Sequence, residues 1–327
     1  MQDVDSQAPL AVLGTGMMGP GIAAVLALAN HPVALYGRSD ASVGRGLAAL
    51  EATLDFLARE GVAEAGAARA ARARVRGTTG LSEAVRDAAV VFESVPEDLG
   101  LKQALFAEVE RHAAADAIVA SNTSSLRISE VSASLRRPER AVTTHFYMPP
   151  HLVPLVDVVK GERTSDETIA RVRALLTAAG KRPVVVLQDT PGQLGIRLLQ
   201  AVNREAFNIV RRGIASADDV DTAIKYGPGL RFPVYGPLEH ADLVGLDFID
   251  AVASYVWPDL SRETEPLLLR EMTARGERGL KDGRGFYDWS RRDAKQLKAT
   301  RDAFLLQRLK DEQRGQQAPP ASAADSE

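Results

Sequence analysis

A histidine at the end of one strand and a carboxylate on the next can together handle a proton. His145 follows a strand at 142–144, and Asp157 lies within 155–159, a second strand placed to return to the first. Imidazole titrates near neutrality, so it can take a hydroxyl proton while a hydride leaves the same carbon. It needs a partner to fix its tautomer and stabilise the imidazolium, and Asp157 is the candidate. His31, His112, His151 and His240 lack a comparable setting, and His112 reads as a helix-surface residue. A second cluster, Ser121-Asn122-Thr123-Ser124-Ser125, follows a buried strand at 117–120. One or two of its hydroxyls suit helix capping, which leaves the others for a ligand.

A departing hydride needs an acceptor, and the N-terminal stretch offers a site for one. The apolar run 10–13 ends in Gly14-Thr15-Gly16-Met17-Met18-Gly19, and an alanine- and leucine-rich run follows. This reads as strand, glycine turn and helix. Gly14 permits the tight turn, Gly16 lets a pyrophosphate approach the backbone, and Gly19 lets helix and strand pack closely. The helix start then holds the phosphates through free N–H groups and its dipole. A plain tight turn is the alternative. A second strand at 33–36 leads to Gly37-Arg38-Ser39-Asp40. An acidic residue here would hold the ribose 2′-hydroxyl of NAD, and an arginine accommodates the 2′-phosphate of NADP. Glycine at position 37, with Arg38 and Ser39 next, leans towards NADP; otherwise Arg38 is a solvated loop residue and Asp40 takes the ribose.

The rest of the chain must position these groups. At 327 residues it has room for two domains. Strands at 77–79, 89–93, 117–120, 142–144, 155–159 and 183–187 alternate with helices, and give an open α/β, doubly wound sheet. The helices are expected at 41–73 (one or two), 82–87, 101–115 and 163–180. From Asp189-Thr190-Pro191-Gly192 onwards the pattern turns helical, with helices at 194–212, from Ser216, at 237–257 and at 263–275. The expected domains are 1–189 for the dinucleotide, 190–312 for substrate and dimerisation, and a disordered tail at 313–327. The apolar faces of the second domain suit intradomain core and a homodimer contact.

Composition excludes several classes. The formal net charge is −3 and no long basic run occurs, so neither nucleic acid nor an anionic membrane is expected as a partner. There is no cysteine, hence no disulfide, thiolate metal site or cysteine nucleophile. No metal-ligand cluster is evident. No signal-like or membrane-spanning segment is seen, and the expected location is the cytoplasm.

From about residue 10 to 289 the chain resembles the 3-hydroxyacyl-CoA dehydrogenase family. The matching pieces are the GTGMMG turn, Ser94-Val95-Pro96-Glu97 with Lys102, the run Ser121–Leu126, His145-Phe146, Leu155-Val156-Asp157-Val158, Thr190-Pro191-Gly192 and Gly283-Arg284-Gly285-Phe286-Tyr287. The resemblance implies a Rossmann-type domain, a helical dimerising domain, and hydride transfer between a 3-hydroxyl and a nicotinamide cofactor. It implies that His145 is the general base, that Asp157 orients it where the family has glutamate, and that Ser124 meets the substrate oxygen. Glu97, Lys102, Asn122 and Lys281 match cofactor-contacting positions. The family's His-Phe-Phe-Asn-Pro is His145-Phe146-Tyr147-Met148-Pro149 here, and its Pro-Gly-Phe-x-x-Asn-Arg is Pro191-Gly192-Gln193-Leu194-Gly195-Ile196-Arg197. Ile196 thus replaces the family's active-site asparagine, and Arg197 or Gln193 is left to supply the missing polar group. Three readings follow: a 3-hydroxyacyl-CoA dehydrogenase, a dehydrogenase of a free 3-hydroxy acid or other small carboxylate, and a nucleotide-binding protein without catalysis. The run Pro149-Pro150-His151-Leu152-Val153-Pro154 and the few lysines after the second strand suit the free-acid members.

Overall fold

Short unbroken apolar runs become strands buried on both faces, because helices cover each side of a parallel sheet. In order along the chain come β1 (Leu10–Leu13), α1 (Gly19–Leu28), β2 (Val33–Tyr36), α2 (Asp40–Arg59), α3 (Ala65–Arg74) and β3 (Val75–Thr78). Then follow α4 (Leu81–Val85), β4 (Val90–Glu93), α5 (Leu99–His112), β5 (Ile118–Ser121) and α6 (Ile128–Val131). The sheet is completed by β6 (Ala141–Phe146), β7 (Leu155–Val159), α7 (Asp166–Ala178) and β8 (Arg182–Val186). The computed structural model describes residues 7–317; residues 1–6 of the expected loose start and 318–327 of the expected tail lie outside them.

The eight strands pair in the order β3-β2-β1-β4-β5-β6-β7-β8. All pairs are parallel except β6 with β7. Alternate residues of one strand serve different cores. Leu10 and Val12 pack with Ile22, Leu26 and Leu50 on one face, while Ala11 and Leu13 join Phe106, Val109 and Ile128 on the other. The order reverses between β1 and its neighbours β2 and β4, and in such sheets the crevice at that point holds the ligand.

The chain divides into two compact units, 1–196 with 301–327, and 197–300. α8 (Leu194–Arg211) crosses the first boundary and α14 (Ala294–Gln317) the second. The second unit contains α9 (Ala217–Tyr226), α10 (Pro228–Arg231), α11 (Pro237–Val244), α12 (Leu246–Val256) and α13 (Leu267–Ala274). The single helix expected at 237–257 is two, because Gly245 takes φ 103°, where a helix cannot continue. Residues 313–317, expected in a disordered tail, continue α14. Among the described residues no helix is long and apolar enough to cross a membrane.

Candidate functional site

β1 ends in a turn that only glycine allows. Gly14 has φ 120°, and a Cβ there would stand 2.4 Å from the Ser94 carbonyl oxygen. A Cβ at Gly19 would lie 1.9 Å from the Gly14 oxygen, so the helix start is locked under the turn. A Cβ at Gly16 would meet nothing within 4 Å, so the backbone there opens onto free space. No side chain caps α1, and no carboxylate stands in its first turn. Its first N–H groups and the positive end of its dipole are therefore suited to an anion. A dinucleotide fits this cradle.

The crevice above measures about 840 Å³. Of the residues expected at the cofactor, Gly14, Thr15, Gly16, Met17, Met18, Arg38, Glu97 and Asn122 line it, as does Ser124. Ser39 does not. It caps α2, accepting from the Ser42 N–H at 3.3 Å, while its own N–H donates to the Ser42 hydroxyl at 3.2 Å. Lys281 belongs to the second unit, in the turn where Gly279 pairs with Arg284.

Lys102, expected at the cofactor, is not among the residues that line the crevice. Its side chain is 1% exposed, and its ammonium donates to Glu93 Oε1 at 2.7 Å and stands 3.5 Å from Glu97 Oε2. Glu93 is fully buried at the end of β4, and also accepts from the Val95 N–H (2.7 Å) and the Ser121 hydroxyl (2.6 Å). The ion pair thus ties α5 to the ends of β4 and β5, behind the crevice wall. Glu97 organises the next loop. Its Oε1 accepts from Thr123 and Ser125 hydroxyls at 2.6 and 2.9 Å and from the Ser124 and Ser125 N–H groups at 3.1 Å. Burial pushes this carboxyl up, but the hydrogen bonds from Thr123 and Ser125 and the charge of Lys102 outweigh it and hold it below its usual range.

Asn122 links the crevice to the next strand, its Oδ1 accepting from the Phe146 N–H at 2.8 Å. One residue back is His145, 6% exposed, directly opposite Asp157 in the antiparallel pairing of β6 with β7. Its Nδ1 lies 3.4 Å from Asp157 Oδ2. The sequence alone does not reveal what shares that carboxylate. The Tyr147 hydroxyl donates to the same Oδ2 at 2.7 Å, and its ring meets the imidazole edge-on with centroids 4.5 Å apart. Burial, then the hydrogen bond to Asp157 and its charge, push the Tyr147 phenol well up, so it stays protonated. The only sequence signal was tyrosine where the family has phenylalanine. Gln193 is 1% exposed; its Nε2 donates to the Thr123 carbonyl at 3.3 Å, and its Oε1 is buried without a hydrogen-bond partner among the described residues.

Residues 9–190 match the model of the 3-hydroxyacyl-CoA dehydrogenase NAD-binding domain, and residues 192–289 that of the C-terminal domain of the same family. The 5-formyl-3-hydroxy-2-methylpyridine 4-carboxylate 5-dehydrogenase of Mesorhizobium japonicum is 35% identical over 299 residues, covering 91% of this chain and 96% of that one. A crystal structure of such an enzyme, described as an NAD+-dependent dismutase, aligns with TM-score 0.83 and covers 92% and 96% of the two chains. The human mitochondrial hydroxyacyl-coenzyme A dehydrogenase is 34% identical, covering 85% of this chain and 90% of its own. The (S)-3-hydroxybutyryl-CoA dehydrogenase structure from Ralstonia eutropha aligns with TM-score 0.73 at 32% identity, covering 86% and 99%. With both domain models matched in order on one chain, this protein belongs to the 3-hydroxyacyl-CoA dehydrogenase family.

Proposed function

We propose that the protein is a nicotinamide-dependent dehydrogenase in which His145 is the general base and the substrate is a small free hydroxy or aldehydic carboxylic acid. The observation that carries the chemistry is the facing pair on β6 and β7, His145 Nδ1 beside Asp157 Oδ2, next to the strand end that Asn122 ties to the crevice. When bound, the nicotinamide supplies the hydride chemistry. Asp157 keeps the Nδ1 proton in place, which leaves Nε2 to take the hydroxyl proton as the carbonyl forms. In reduction the same nitrogen returns it. Ser124, on the crevice wall, is the partner proposed for the substrate oxygen.

Two features favour a free acid. Ile196 offers no side-chain amide to a thioester carbonyl, and the Mesorhizobium relative acts, by its name, on a pyridine carboxylate. The second reading, a 3-hydroxyacyl-CoA substrate, is favoured by the family model and the human relative. Reduction of acetoacetyl-CoA is measured beside a panel of small 3-hydroxy acids and aromatic hydroxymethyl or formyl carboxylates. Turnover of the free acids alone supports the proposal; efficient turnover of acetoacetyl-CoA overturns it in favour of the second reading. His145→Gln should lower kcat by about 10²–10⁴ while NADH or NADPH still binds. Unchanged turnover removes His145 as base.

The family domain binds NAD, and the finer preference proposed here is for NADP. Gly37, Arg38, Ser42 and Arg45 line the far end of the crevice, and no carboxylate stands at position 37 to repel a 2′-phosphate. A lower KM for NADPH than NADH, lost in Arg38→Ala, is expected; a strong NADH preference overturns it. Homodimerisation through the helical unit is also proposed, because Leu238, Leu243, Phe248, Tyr255 and Trp257 are all exposed in the single chain. Light scattering showing a monomer would remove it.

A further inference from the structure

We propose that Tyr147 is a positioning residue of this site: its hydroxyl holds the Asp157 carboxylate at a distance from His145 that the aspartate does not close by itself, and divides that carboxylate between phenol and imidazole. This rests on His145 being the base.

Asp157 is one methylene shorter than the glutamate of the family. The His145 Nδ1 to Oδ2 distance of 3.4 Å is long for a charge-assisted bond, whereas Tyr147 reaches the same oxygen at 2.7 Å. The other oxygen, Oδ1, is buried with no hydrogen-bond partner among the described residues, and Asp157 is fully buried. The phenol is therefore the shortest partner of a desolvated carboxylate, which is costly to bury without one. The phenol is itself held. The backbone N–H groups of Gly195 and Ile196, at the start of α8, favour its ionised form, but burial and Asp157 outweigh them and keep its proton on the phenol, available to Asp157. Space for it exists because residue 195 is glycine: a Cβ there would stand 2.2 Å from the Tyr147 oxygen.

Opposite the carboxylate, β6 brings His145 and β8 brings Val184 at the facing positions, and Tyr147 follows β6. A neutral O–H donor on Oδ2 draws off negative charge that would otherwise stabilise the imidazolium. Removing it should make His145 more basic.

The test needs no known substrate. The protein is labelled with ¹³C at histidine Cε1, and the imidazoles are titrated by NMR, with the His145 signal assigned by its absence in His145→Gln. Tyr147→Phe is expected to raise the His145 pKa by about one unit. Gly195→Ala, which expels the phenol while keeping it in the chain, should do the same, and NADH binding by fluorescence confirms that both variants are folded. Asp157→Glu on the Tyr147→Phe background should restore the Nδ1 contact and raise the pKa further. A His145 pKa unmoved by Tyr147→Phe overturns the assignment of Tyr147. That result is distinct from loss of the base assignment, which shows instead as undiminished turnover of His145→Gln.

Discussion

Lys102→Met separates two roles for one residue. The lysine occupies a position that the family uses at the cofactor, yet here it is buried against Glu93 at 2.7 Å. Removing one partner of a buried pair leaves the other charge uncompensated, at a typical cost of about 3–5 kcal/mol. Glu93 keeps two donors, the Val95 N–H and the Ser121 hydroxyl, so the lower end, about 3 kcal/mol, is expected. At about 2–4 °C per kcal/mol for a unit of this size, Tm should fall by roughly 6–12 °C. Glu93→Gln in the same chain removes the stranded charge and keeps an acceptor for both donors. The double variant should therefore recover about 2 kcal/mol relative to Lys102→Met alone. Urea unfolding followed by circular dichroism gives the stabilities, and NADH fluorescence titration gives the affinity of the folded protein. A Lys102→Met protein that unfolds like the parent but binds NADH tenfold more weakly would falsify the reasoning and return Lys102 to the cofactor.

Three further outcomes are expected. Gly19→Ala should abolish tight dinucleotide binding, because the added carbon would stand 1.9 Å from the Gly14 oxygen and must open the turn; isothermal titration with NADH and NADPH checks it. Glu97→Gln should lower Tm at neutral pH, and the gap from the parent should narrow as pH falls below 4.5, because a depressed carboxyl pKa gives stability that is lost as pH falls through it. Lys181 donates to the Pro150 and Val153 carbonyls from a buried position, and burial lowers its pKa from 10.5 to about 8. Between those two pH values the unfolded chain holds a proton that the folded one lacks. The parent should therefore gain up to about 3 kcal/mol relative to Lys181→Met as pH rises from 8 to 10.5, read from paired denaturation curves.

The sheet was legible because each strand announces itself locally. β1, β2 and β7 have the bounds expected from their apolar runs, and the other strands differ by a few residues at their ends. The turn at Gly14–Gly19 and the facing of His145 and Asp157 were legible for the same reason: motif and period suffice. Side-chain partnerships across elements were not. Nothing in the spacing of Glu93 and Lys102 says that they spend their charges on each other, since that depends on α5 folding back over the end of β4. Ser39 looked like a phosphate ligand because capping and anion binding call on the same residue types at a helix start. The α11–α12 break was missed because a glycine within an apolar helical period carries no sign of its φ. The helix at 294–317 was not singled out within the expected helical domain because its composition is largely polar, and its last residues, 313–317, read as tail for the same reason.

The fit between Tyr147 and Gly195 constrains the order in which such a site can change. With phenylalanine at position 147, a larger residue at 195 meets no hydroxyl. With tyrosine, even a methyl group there would overlap the phenolic oxygen. A lineage moving from the family's pattern to this one must therefore lose the side chain at 195 before, or together with, gaining the hydroxyl at 147. The return path runs in reverse, with the hydroxyl lost first. Grafting the tyrosine alone into a relative, or restoring a side chain at 195 alone here, therefore tests the one combination that this geometry does not accommodate, whereas the glycine alone, or Tyr147→Phe here, meets no such overlap.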